Sequence, residues 1–251
     1  MAEAPVPTVS GSRLALIIGS ALADGTGALP EHEAQVDTDF GPARVFDTGD
    51  AVIVHRHHAT PDGYALPHAL DHHRTVAALC AVGCDRVLAL ASVGSLRGWP
   101  VGTVVCPYDF YAPGVAPTFH TDSEGHAVPG FDEPWRDAVL AAWDELAASD
   151  LLDGGVYAQT PGPRFETPAE VRALARDADI VGMTIASETI LAREAGLAYS
   201  VVCMVDNAAN GADDVALSVD ELLRNVAANR VQLLADVNAV VPRLVTTPRP
   251  T

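Results

Sequence analysis

The sequence predicts an α/β fold in a single domain, with a mostly parallel or mixed central sheet flanked by helices. Three observations predict it. Short apolar runs recur along the chain, and their length is typical of strands that are buried on both faces. Segments with apolar residues three and four positions apart, as in amphipathic helices, lie between several of these runs. The chain has 251 residues, of which 49% are hydrophobic, so it can bury one large core.

Seven strands and five helices follow from these patterns. The predicted strands are Leu14 to Gly19, Ala51 to His55, Arg86 to Ala91, Thr103 to Cys106, Gly155 to Ala158, Asp179 to Met183 and Tyr199 to Val205. The predicted helices are Leu66 to Val82, Pro134 to Ala148, Pro168 to Ala175, Glu188 to Glu194 and Val219 to Val240. Capping boxes mark the start of two of them, at Thr167 and Ser218. In such folds, ligands bind at the carboxyl ends of the strands.

The ends of the chain and one internal stretch lack these patterns. Residues 1–12 and 245–251 are expected to be loose termini of the single domain, and the tail from Pro242 shows no periodicity. The stretch from Ala112 to Gly130 is rich in Pro, Gly and His and is predicted to be the one long loop. Long ordered loops are often functional, so this loop is a candidate part of a site.

Charge excludes several classes of protein. Asp and Glu number 33 against 15 Lys and Arg, all of them arginine, which gives a formal net charge of −18. A chain without lysine forms no Schiff base with a substrate or with pyridoxal phosphate, and it lacks the lysine of a P-loop. The acid excess argues against nucleic acid as a partner, although a small anion can still be bound locally.

The compartment is predicted from hydropathy and from the cysteines. No uninterrupted apolar run reaches the ~18 residues of a membrane span, and no cationic region precedes an apolar stretch at the N-terminus. The four cysteines lie in apolar stretches without CxxC spacing, which fits reduced, buried thiols better than a zinc site or disulfides. We therefore expect a cytoplasmic protein with no membrane partner.

Residues after the first three predicted buried strands could bind an anion. Gly19-Ser20 forms a turn whose backbone N–H groups and hydroxyl can converge on an anion. The next strand ends at Arg56, and a guanidinium donates to two oxygens of a phosphate at once. The third strand ends in small residues around Ser92, which allow a ligand to approach the backbone. Each feature taken alone fits an ordinary turn or a surface arginine equally well.

Residues near later strand ends carry groups that could form hydrogen bonds with a heterocycle. Phe165 and Glu166 stand just before a predicted helix, and Asp206-Asn207 follow an apolar run. A carboxylate and an amide at such positions can bind the edge of a purine. Glu166 also fits a helix-start charge stabilised by the helix dipole, Phe165 fits a core residue, and Asp206-Asn207 fit a turn.

Histidine supplies the argument for a rival class, a metal-dependent hydrolase. Six of the nine histidines lie between His55 and His73, and His68 and His72 are four apart on a predicted helix. Yet no HExxH motif occurs, and no carboxylate completes an obvious ligand set. We therefore expect no metal site.

A longer set of motifs occurs in order along the chain. It includes Gly155-Val-Tyr-Ala-Gln-Thr-Pro-Gly-Pro-Arg-Phe-Glu-Thr-Pro-Ala-Glu170, Val181-Gly-Met-Thr184, Glu188 and Leu191-Ala-Arg-Glu-Ala-Gly196, preceded by Ile17-Ile-Gly-Ser20, Arg56-His57, Pro67-His68 and Gly94-Ser-Leu96. In this combination the chain resembles the trimeric purine nucleoside phosphorylase and methylthioadenosine phosphorylase family over roughly residues 14 to 244. The resemblance implies a nucleoside phosphorylase-like fold.

The resemblance also implies a reaction and a site. The family joins a purine nucleoside to inorganic phosphate as co-substrate and releases the free base and pentose 1-phosphate, with no cofactor. Phosphate would be held by Ser20, Arg56, His57, Ser92 and Thr184, with His58 as the alternative to His57. Met183 would pack against the sugar, and Phe165 would stack on sugar or base. His126, in the long loop, would reach into a neighbouring subunit's 5′ pocket, so a homotrimer is expected.

Base selection depends on Glu166 and Asn207. By resemblance, Asn207 stands where 6-oxopurine enzymes have asparagine and methylthioadenosine enzymes have aspartate. The Glu166 carboxylate could accept from the N1–H of a 6-oxopurine, whereas adenine has a lone pair there. A register shift of one residue would bring Asp206 to the base and favour 6-aminopurines. We therefore expect a purine nucleoside phosphorylase, a pentosyltransferase of purine salvage that prefers 6-oxopurine nucleosides, with methylthioadenosine phosphorylase second.

Three departures from the family pattern keep other functions open. Ala91 replaces a hydroxyl residue, Ala21 replaces a glycine of the first loop, and Ser187 replaces a proline. They leave open a nucleosidase that uses water, an enzyme for another 5′-modified adenosine, or an inactive purine-binding relative. Val219 and Leu222 would line the 5′ side, where an apolar wall suits a methylthio group, but they could equally face the core of their own helix.

Overall fold

The structure is a computed structural model that describes residues 5–19, 32–59, 63–212 and 217–249. Within these ranges the strands are β1 (Arg13–Ile18), β2 (His32–Thr38), β3 (Gly41–Asp47), β4 (Ala51–His55), β5 (Cys84–Ser95), β6 (Val104–Cys106), β7 (Asp109–Tyr111), β8 (Leu151–Asp153), β9 (Val156–Gln159), β10 (Ile180–Gly182) and β11 (Ala198–Ala208). The α-helices are α1 (His72–Ala81), α2 (Glu133–Leu146), α3 (Pro168–Leu174), α4 (Ile185–Glu194) and α5 (Val219–Thr246). None of these described helices combines the length and the hydropathy that crossing a bilayer requires.

One mixed sheet runs through the described chain. Its order is β2-β3-β4-β1-β5, after which β5 pairs with β11, and β11 continues through β6 to β8. At the C-terminal end of β5, Gly94 and Ser95 pair antiparallel with β10, which leads on to β9 and β7. β4, β1, β5 and β11 run parallel to one another, so their carboxyl ends lie at one edge of the sheet. The predicted α/β class with a mixed central sheet is confirmed.

Helices cover the sheet on both faces. Successive side chains of a strand point to opposite faces, so Ala15 and Ile17 of β1 pack in one cluster while Leu14 and Leu16 pack in the other. α1 and α4 contribute to the first cluster, and α2 and α5 contribute to the second. This double coverage is why the central strands are continuously apolar in sequence.

Four strands, β2, β3, β7 and β8, have no counterpart in the sequence prediction. β2 and β3 form an antiparallel hairpin that joins the sheet at β4. Most side chains of β2 are exposed, so the hairpin has no buried apolar run to reveal it. β7 and β8 have only three residues each.

The first helix begins later than the sequence predicts. Its periodicity starts at Leu66, but α1 begins at His72, because the Asp71 carboxylate caps it by accepting a hydrogen bond from the backbone N–H of Arg74 at 3.0 Å. His68 lies before this cap, in a separate short 3-10 turn. His68 and His72 therefore do not share a helix face, and the spacing argument for a metal site is wrong.

The last helix extends further than the sequence predicts. α5 continues through Pro242 to Thr246, so the loose tail expected from Pro242 is wrong for these residues. A proline inside a helix forfeits one backbone hydrogen bond. Here, however, Leu244 is fully buried, and the buried Arg86 guanidinium donates to the Leu244 carbonyl at 3.4 Å. Tertiary contacts thus hold the helix beyond the proline.

Residues near both ends of the chain contact the domain. Val6 and Val9 pack against the core cluster that includes α1. Arg249 donates a hydrogen bond to the Gly196 carbonyl at 2.6 Å. The described parts of the two expected loose termini are therefore attached to the sheet and its helices.

The four cysteines are free and buried, as predicted. Burial raises the pKa of the Cys80 and Cys106 thiols to about 11 and that of Cys84 to about 12, and it raises the pKa of Cys203 further still. All four are therefore neutral thiols at physiological pH.

Candidate active site

A cavity of about 320 Å³ lies at the sheet edge where β1, β4, β5 and β11 end. Parallel strands bring their C-terminal residues to the same edge, so segments far apart in sequence meet there. The predicted site residues that line the cavity are Arg56, His57, Ser92, Phe165, Glu166, Met183, Thr184, Asn207 and Leu222. The residues predicted for an anion and those predicted for a purine thus surround one cavity.

Arg56 is a buried cation in the cavity wall. It follows β4 in a short 3-10 turn and is 4% exposed. Its guanidinium donates to both carboxylate oxygens of Glu188, at 2.5 and 3.0 Å, and to the Leu90 carbonyl at 2.9 Å. Burial by itself lowers the pKa of Arg56, but the Glu188 carboxylate outweighs burial and raises the pKa above its ordinary value. Arg56 is therefore a permanent cation held in a fixed orientation.

Three other polar residues border Arg56. His57 donates through Nδ1 to the Ala65 carbonyl at 2.8 Å, and its ring stacks on Tyr64. Burial lowers the pKa of His57, so its ring is neutral at neutral pH. Thr184 is the N-cap of α4, so the N-terminus of that helix borders the cavity, a position that favours anions. Ser92, near the end of β5, also lines the cavity.

A β-bulge in β11 orients Asn207. The register between β11 and β5 shifts between Val205 and Asn207, so Asp206 is the extra residue and Asn207 pairs with Gly94. Asn207 lines the cavity, and a Cβ atom at Gly94 would stand 3.2 Å from its Nδ2. The missing side chain at Gly94 therefore leaves space for the Asn207 carboxamide.

Glu166 also lines the cavity. Its side chain is buried, and its Oε1 accepts a hydrogen bond from the Thr160 hydroxyl at 2.5 Å. Its backbone carbonyl accepts from Asn210 Nδ2 at 2.8 Å. The predicted capping box of Thr167 and Glu170 is confirmed immediately after it and starts α3. Glu166 thus lies outside the helix, and its carboxylate is held at the cavity by Thr160.

Asp206, the alternative base-binding residue, does not line the cavity. It is fully buried, and its Oδ1 accepts a hydrogen bond from Asn229 Nδ2 at 2.7 Å. Asn225 donates to its backbone carbonyl at 3.0 Å. Burial raises the pKa of Asp206, against the lowering effect of hydrogen bonds from Ser92 and Asn229. Asp206 therefore joins β11 to α5 and is not among the residues that line the cavity.

Apolar side chains also line the cavity. Phe165 and Met183 are two of them, and a Cβ atom at Gly162 would stand 2.6 Å from the Met183 sulfur, so that backbone packs directly on the thioether. An apolar wall is formed by Leu217, Leu222, Leu223 and Val226. Val219, which was predicted to join Leu222 in this wall, is 55% exposed and lies outside the lining. Leu222 and Val226, one helical turn apart, form the face of α5 that meets the cavity.

Three other predicted residues are not among those that line the cavity. Ser20, together with Ala21, lies outside the described residues. His58 is half-buried, and its ring packs edge-on against Tyr64 with centroids 5.4 Å apart. His126 is exposed in the long loop. Within one chain, therefore, neither His58 nor His126 contributes to the cavity.

Two residues at the site were missed by the sequence reasoning. Glu188 belongs to the motif that carries the resemblance, but an acid in the first turn of a helix usually indicates a dipole interaction rather than an ion pair. Tyr64 lines the cavity and stacks on His57, although it lies in a stretch without periodicity. The position of Glu188 four residues after Thr184, among the motifs that carry the resemblance, was the available signal that it belongs near the site.

Potential metal ligands lie elsewhere. Among the residues that the structure describes, one group of three has ligand atoms within 4.8 Å of one another, namely His120, Asp122 and Glu124. None of the three lines the cavity. His72, from the histidine-rich segment, instead lies with its Nδ1 3.7 Å from Glu188 Oε1.

With this fold and this cavity, the protein has the features of α/β proteins that bind small ligands at the carboxyl ends of parallel strands. Residues 13–241 match the phosphorylase superfamily. A probable 6-oxopurine nucleoside phosphorylase of Archaeoglobus fulgidus is 34% identical over 219 residues, which cover 85% of this chain and 89% of the relative. A probable S-methyl-5′-thioinosine phosphorylase of Methanopyrus kandleri is 37% identical over 219 residues, which cover 80% and 83% of the two chains.

Solved structures share the architecture. Methylthioadenosine phosphorylase from Schistosoma mansoni, in complex with adenine, superposes with a TM-score of 0.79 and 24% identity, over 94% of this chain and 92% of that chain. At this identity the likeness concerns the fold. The protein belongs to the phosphorylase superfamily and, within it, to the family of purine nucleoside and methylthioadenosine phosphorylases, so it is an enzyme of the pentosyltransferase type. The resemblance seen in the sequence motifs is confirmed.

Proposed function

We propose that this enzyme cleaves the N-glycosidic bond of a 6-oxopurine nucleoside by phosphorolysis, releasing the free base and pentose 1-phosphate. One observation carries the proposal: Glu166 and Asn207 lie around the same cavity as Arg56. A reaction between phosphate and a nucleoside needs an anion site and a base site on either side of one pentose.

Inorganic phosphate is the only co-substrate in this proposal. Arg56 supplies a permanent charge, the N-terminus of α4 at Thr184 supplies partial positive charge, and the backbone near Ser92 supplies N–H donors. His57 is neutral, and because its Nδ1–H is used by the Ala65 carbonyl, its Nε2 would accept a hydrogen bond from a protonated phosphate oxygen. Ser20 joins this set by resemblance.

The reaction requires no nucleophilic side chain. Breaking the glycosidic bond builds positive charge on the sugar and negative charge on the leaving purine. An enzyme therefore gains by placing an anion beneath the sugar carbon and a hydrogen-bond donor at the base. Holding the two substrates in line supplies much of the remaining rate. Met183 and Phe165, which line the same cavity, would pack against the pentose and the base.

The base preference follows from the pair Glu166 and Asn207. With Oε1 occupied by Thr160, the Glu166 carboxylate can accept from the N1–H of a 6-oxopurine through Oε2. The Asn207 amide can donate to O6 or N7. Adenine has no N1–H, so its N1 lone pair would face the Glu166 carboxylate. This mismatch should disfavour 6-aminopurines.

A second candidate substrate is a 6-oxopurine nucleoside with a methylthio group at the 5′ carbon. The observation that favours it is the apolar wall of Leu217, Leu222, Leu223 and Val226. A methylthio group can pack against such a wall at little cost, whereas a hydroxyl group would be buried there without a hydrogen-bond partner. The relative from Methanopyrus kandleri bears a name of this kind.

We further propose a cytoplasmic homotrimer. Four neutral, buried thiols fit a reducing compartment. His126 is exposed and outside its own chain's cavity, which suits a residue that reaches a neighbouring 5′ pocket. Light scattering of the purified protein would measure the mass, and a monomer with full activity would contradict this assembly.

Purine release from a panel of nucleosides tests the function. Inosine, 5′-methylthioinosine, adenosine and 5′-methylthioadenosine would each be incubated with and without phosphate, and both the base and the pentose 1-phosphate would be quantified. We expect phosphate-dependent release of hypoxanthine and little release of adenine. Phosphate-independent release would indicate a nucleosidase, and purine binding without turnover would indicate an inactive relative.

Two variants of α5 test the 5′ substituent. Leu222→Ala shortens the apolar wall, so the preference for 5′-methylthioinosine over inosine should fall about tenfold. Val231→Ala is the matched control, since Val231 is 74% exposed on the same helix. Equal ratios of kcat/KM in the wild type and Leu222→Ala would remove this wall from the 5′ site.

A further inference from the structure

A buried carboxylate lies behind Arg56 at the anion end of the cavity. Glu188 is in the first turn of α4, is 1% exposed and does not line the cavity. Its Oε1 accepts from Arg56 Nε at 2.5 Å, while its Oε2 accepts from Arg56 Nη2 at 3.0 Å and from the Tyr199 hydroxyl at 2.6 Å. α4 and β11 therefore converge with the end of β4 on one ion pair.

The hydrogen bonds occupy three of the five N–H groups of the Arg56 guanidinium. A guanidinium has five N–H groups in one plane. Glu188 takes the Nε and Nη2 edge, and the Leu90 carbonyl takes one N–H of Nη1 at 2.9 Å. Among the contacts of the described residues, one N–H on Nη1 and one on Nη2 are left over. Nη1 and Nη2 therefore each keep one N–H group that can donate to a phosphate oxygen.

The negative charge of Glu188 also balances the positive charge of Arg56. A buried arginine without a counter-charge is strongly destabilising, and Glu188 supplies that charge before phosphate binds. Burial by itself raises the pKa of Glu188, but Arg56 outweighs burial and holds the pKa below its ordinary value, so the carboxylate is ionised. Tyr199 and the nearby His72 Nδ1, 3.7 Å away, complete its surroundings.

We infer that Glu188 is a positioning residue for phosphorolysis, which orients the Arg56 guanidinium towards phosphate and balances its charge until phosphate arrives. This inference rests on the proposed function. Glu188 touches neither substrate; it acts through Arg56, and Tyr199 acts through Glu188. A residue of this kind should affect the chemical step more than nucleoside binding, because the phosphate must be in line with the bond that breaks.

The variant Glu188→Gln keeps the size of the side chain but replaces one acceptor oxygen with an amide group that cannot accept from Arg56. With both substrates saturating, kcat should fall at least about tenfold, while KM for the nucleoside changes less than about twofold. Because Arg56 would lack its counter-charge, phosphate should raise the Tm of this variant more than that of the wild type.

Tyr199→Phe keeps the inference testable should Glu188→Gln fail to fold. It removes one hydrogen bond to Glu188 but leaves the ion pair, so kcat should fall about threefold with the same unchanged nucleoside KM. Glu33→Gln is the matched control, because it breaks an exposed Arg–Glu pair with Arg44, at 2.7 and 2.8 Å, away from the cavity. Its kinetics and its phosphate response should equal those of the wild type.

The outcomes distinguish a failure of the positioning role of Glu188 from a failure of the proposed function. A folded Glu188→Gln or Tyr199→Phe enzyme with wild-type kcat overturns the positioning role, and so does a loss that appears equally in nucleoside KM. A wild type that releases no purine with phosphate refutes the proposed function. Melting curves need no turnover, so they test the role of Glu188 even if the wild type is inactive. An equal rise in Tm with phosphate in Glu188→Gln and the wild type would overturn this role, and a larger rise in Glu188→Gln would support it.

Discussion

Adding one methyl group at Gly19 should disable the anion end of the cavity. Gly19 directly follows β1, and a Cβ atom there would stand 2.5 Å from Arg56 Nη1 and 3.0 Å from the Leu90 carbonyl oxygen. Ordinary contact begins at 3.4 Å, so either the guanidinium or the strand end must move by about 1 Å. Arg56 has little freedom to retreat, because Glu188 holds it on the opposite edge.

The size of the effect follows from that displacement. Misplacing a substrate-orienting group by about 1 Å can cost about a hundredfold in rate. We therefore expect kcat/KM for phosphate to fall between about 10- and 100-fold in Gly19→Ala, equivalent to about 1.4–2.7 kcal/mol of transition-state stabilisation. KM for the nucleoside should change little, since the atoms that a Cβ at Gly19 would meet belong to Arg56 and Leu90 and not to Asn207 or Glu166.

Initial rates with phosphate varied at saturating nucleoside would measure this, with thermal melting to confirm folding. Gly114→Ala is the matched control, because a Cβ atom there meets nothing within 4 Å. A folded Gly19→Ala enzyme whose kcat/KM for phosphate equals that of Gly114→Ala would refute the placement of phosphate against Arg56.

Three further substitutions test other parts of the site. Arg56→Ala should raise KM for phosphate about a hundredfold and lower the free energy of unfolding by about 3–5 kcal/mol, because Glu188 would be left buried and unpaired; kinetics and denaturant titration measure both, and an unaltered KM would remove Arg56 from the site. Asn207→Asp should shift the adenosine-to-inosine ratio of kcat/KM towards adenosine by about a hundredfold, as its carboxylate cannot donate to O6; an unchanged ratio would show that Asn207 does not bind the base. Burial raises the pKa of Asp206, so its contribution to stability is complete below the unfolded pKa of about 3.8 and is lost as the pH rises through the folded value. Asp206→Asn removes this loss, and its Tm relative to the wild type should therefore increase from about pH 4 to about pH 7, whereas a constant difference would contradict the raised pKa.

The central sheet was predictable because its strands are buried on both faces. β1, β4, β5 and β11 each contain a short, almost continuous apolar run that is too short for a typical helix. The β2–β3 hairpin was not predictable in this way, because its outer strand exposes most side chains and is held mainly by backbone pairing to β3. The end of α5 was missed for a related reason: Pro242 opposes a helix locally, and only the burial of Leu244 and the hydrogen bond from Arg86 outweigh it.

The site was predictable to the extent that strand ends define it. Arg56 directly follows β4 and Asn207 lies near the C-terminal end of β11, in one parallel set of strands, so the fold class alone brings them to one edge. The orientation of Asn207 depends on a one-residue bulge, which sequence patterning does not reveal. The partner of Arg56 lies 132 residues further along the chain and is brought to it by helix packing, so no local motif could identify Glu188 as its counter-ion.

Labelling of the four buried thiols can measure local unfolding of this protein. Alkylating reagents attack the thiolate, and burial keeps Cys80, Cys84, Cys106 and Cys203 protonated behind packed side chains. These positions belong to α1, β5, β6 and β11, so the order in which they become labelled would rank the lifetimes of four separate elements without any engineered probe. Because residues of β5 and β11 also line the cavity, slower labelling of Cys203 in the presence of phosphate and a purine would show that these ligands stabilise the sheet against local opening.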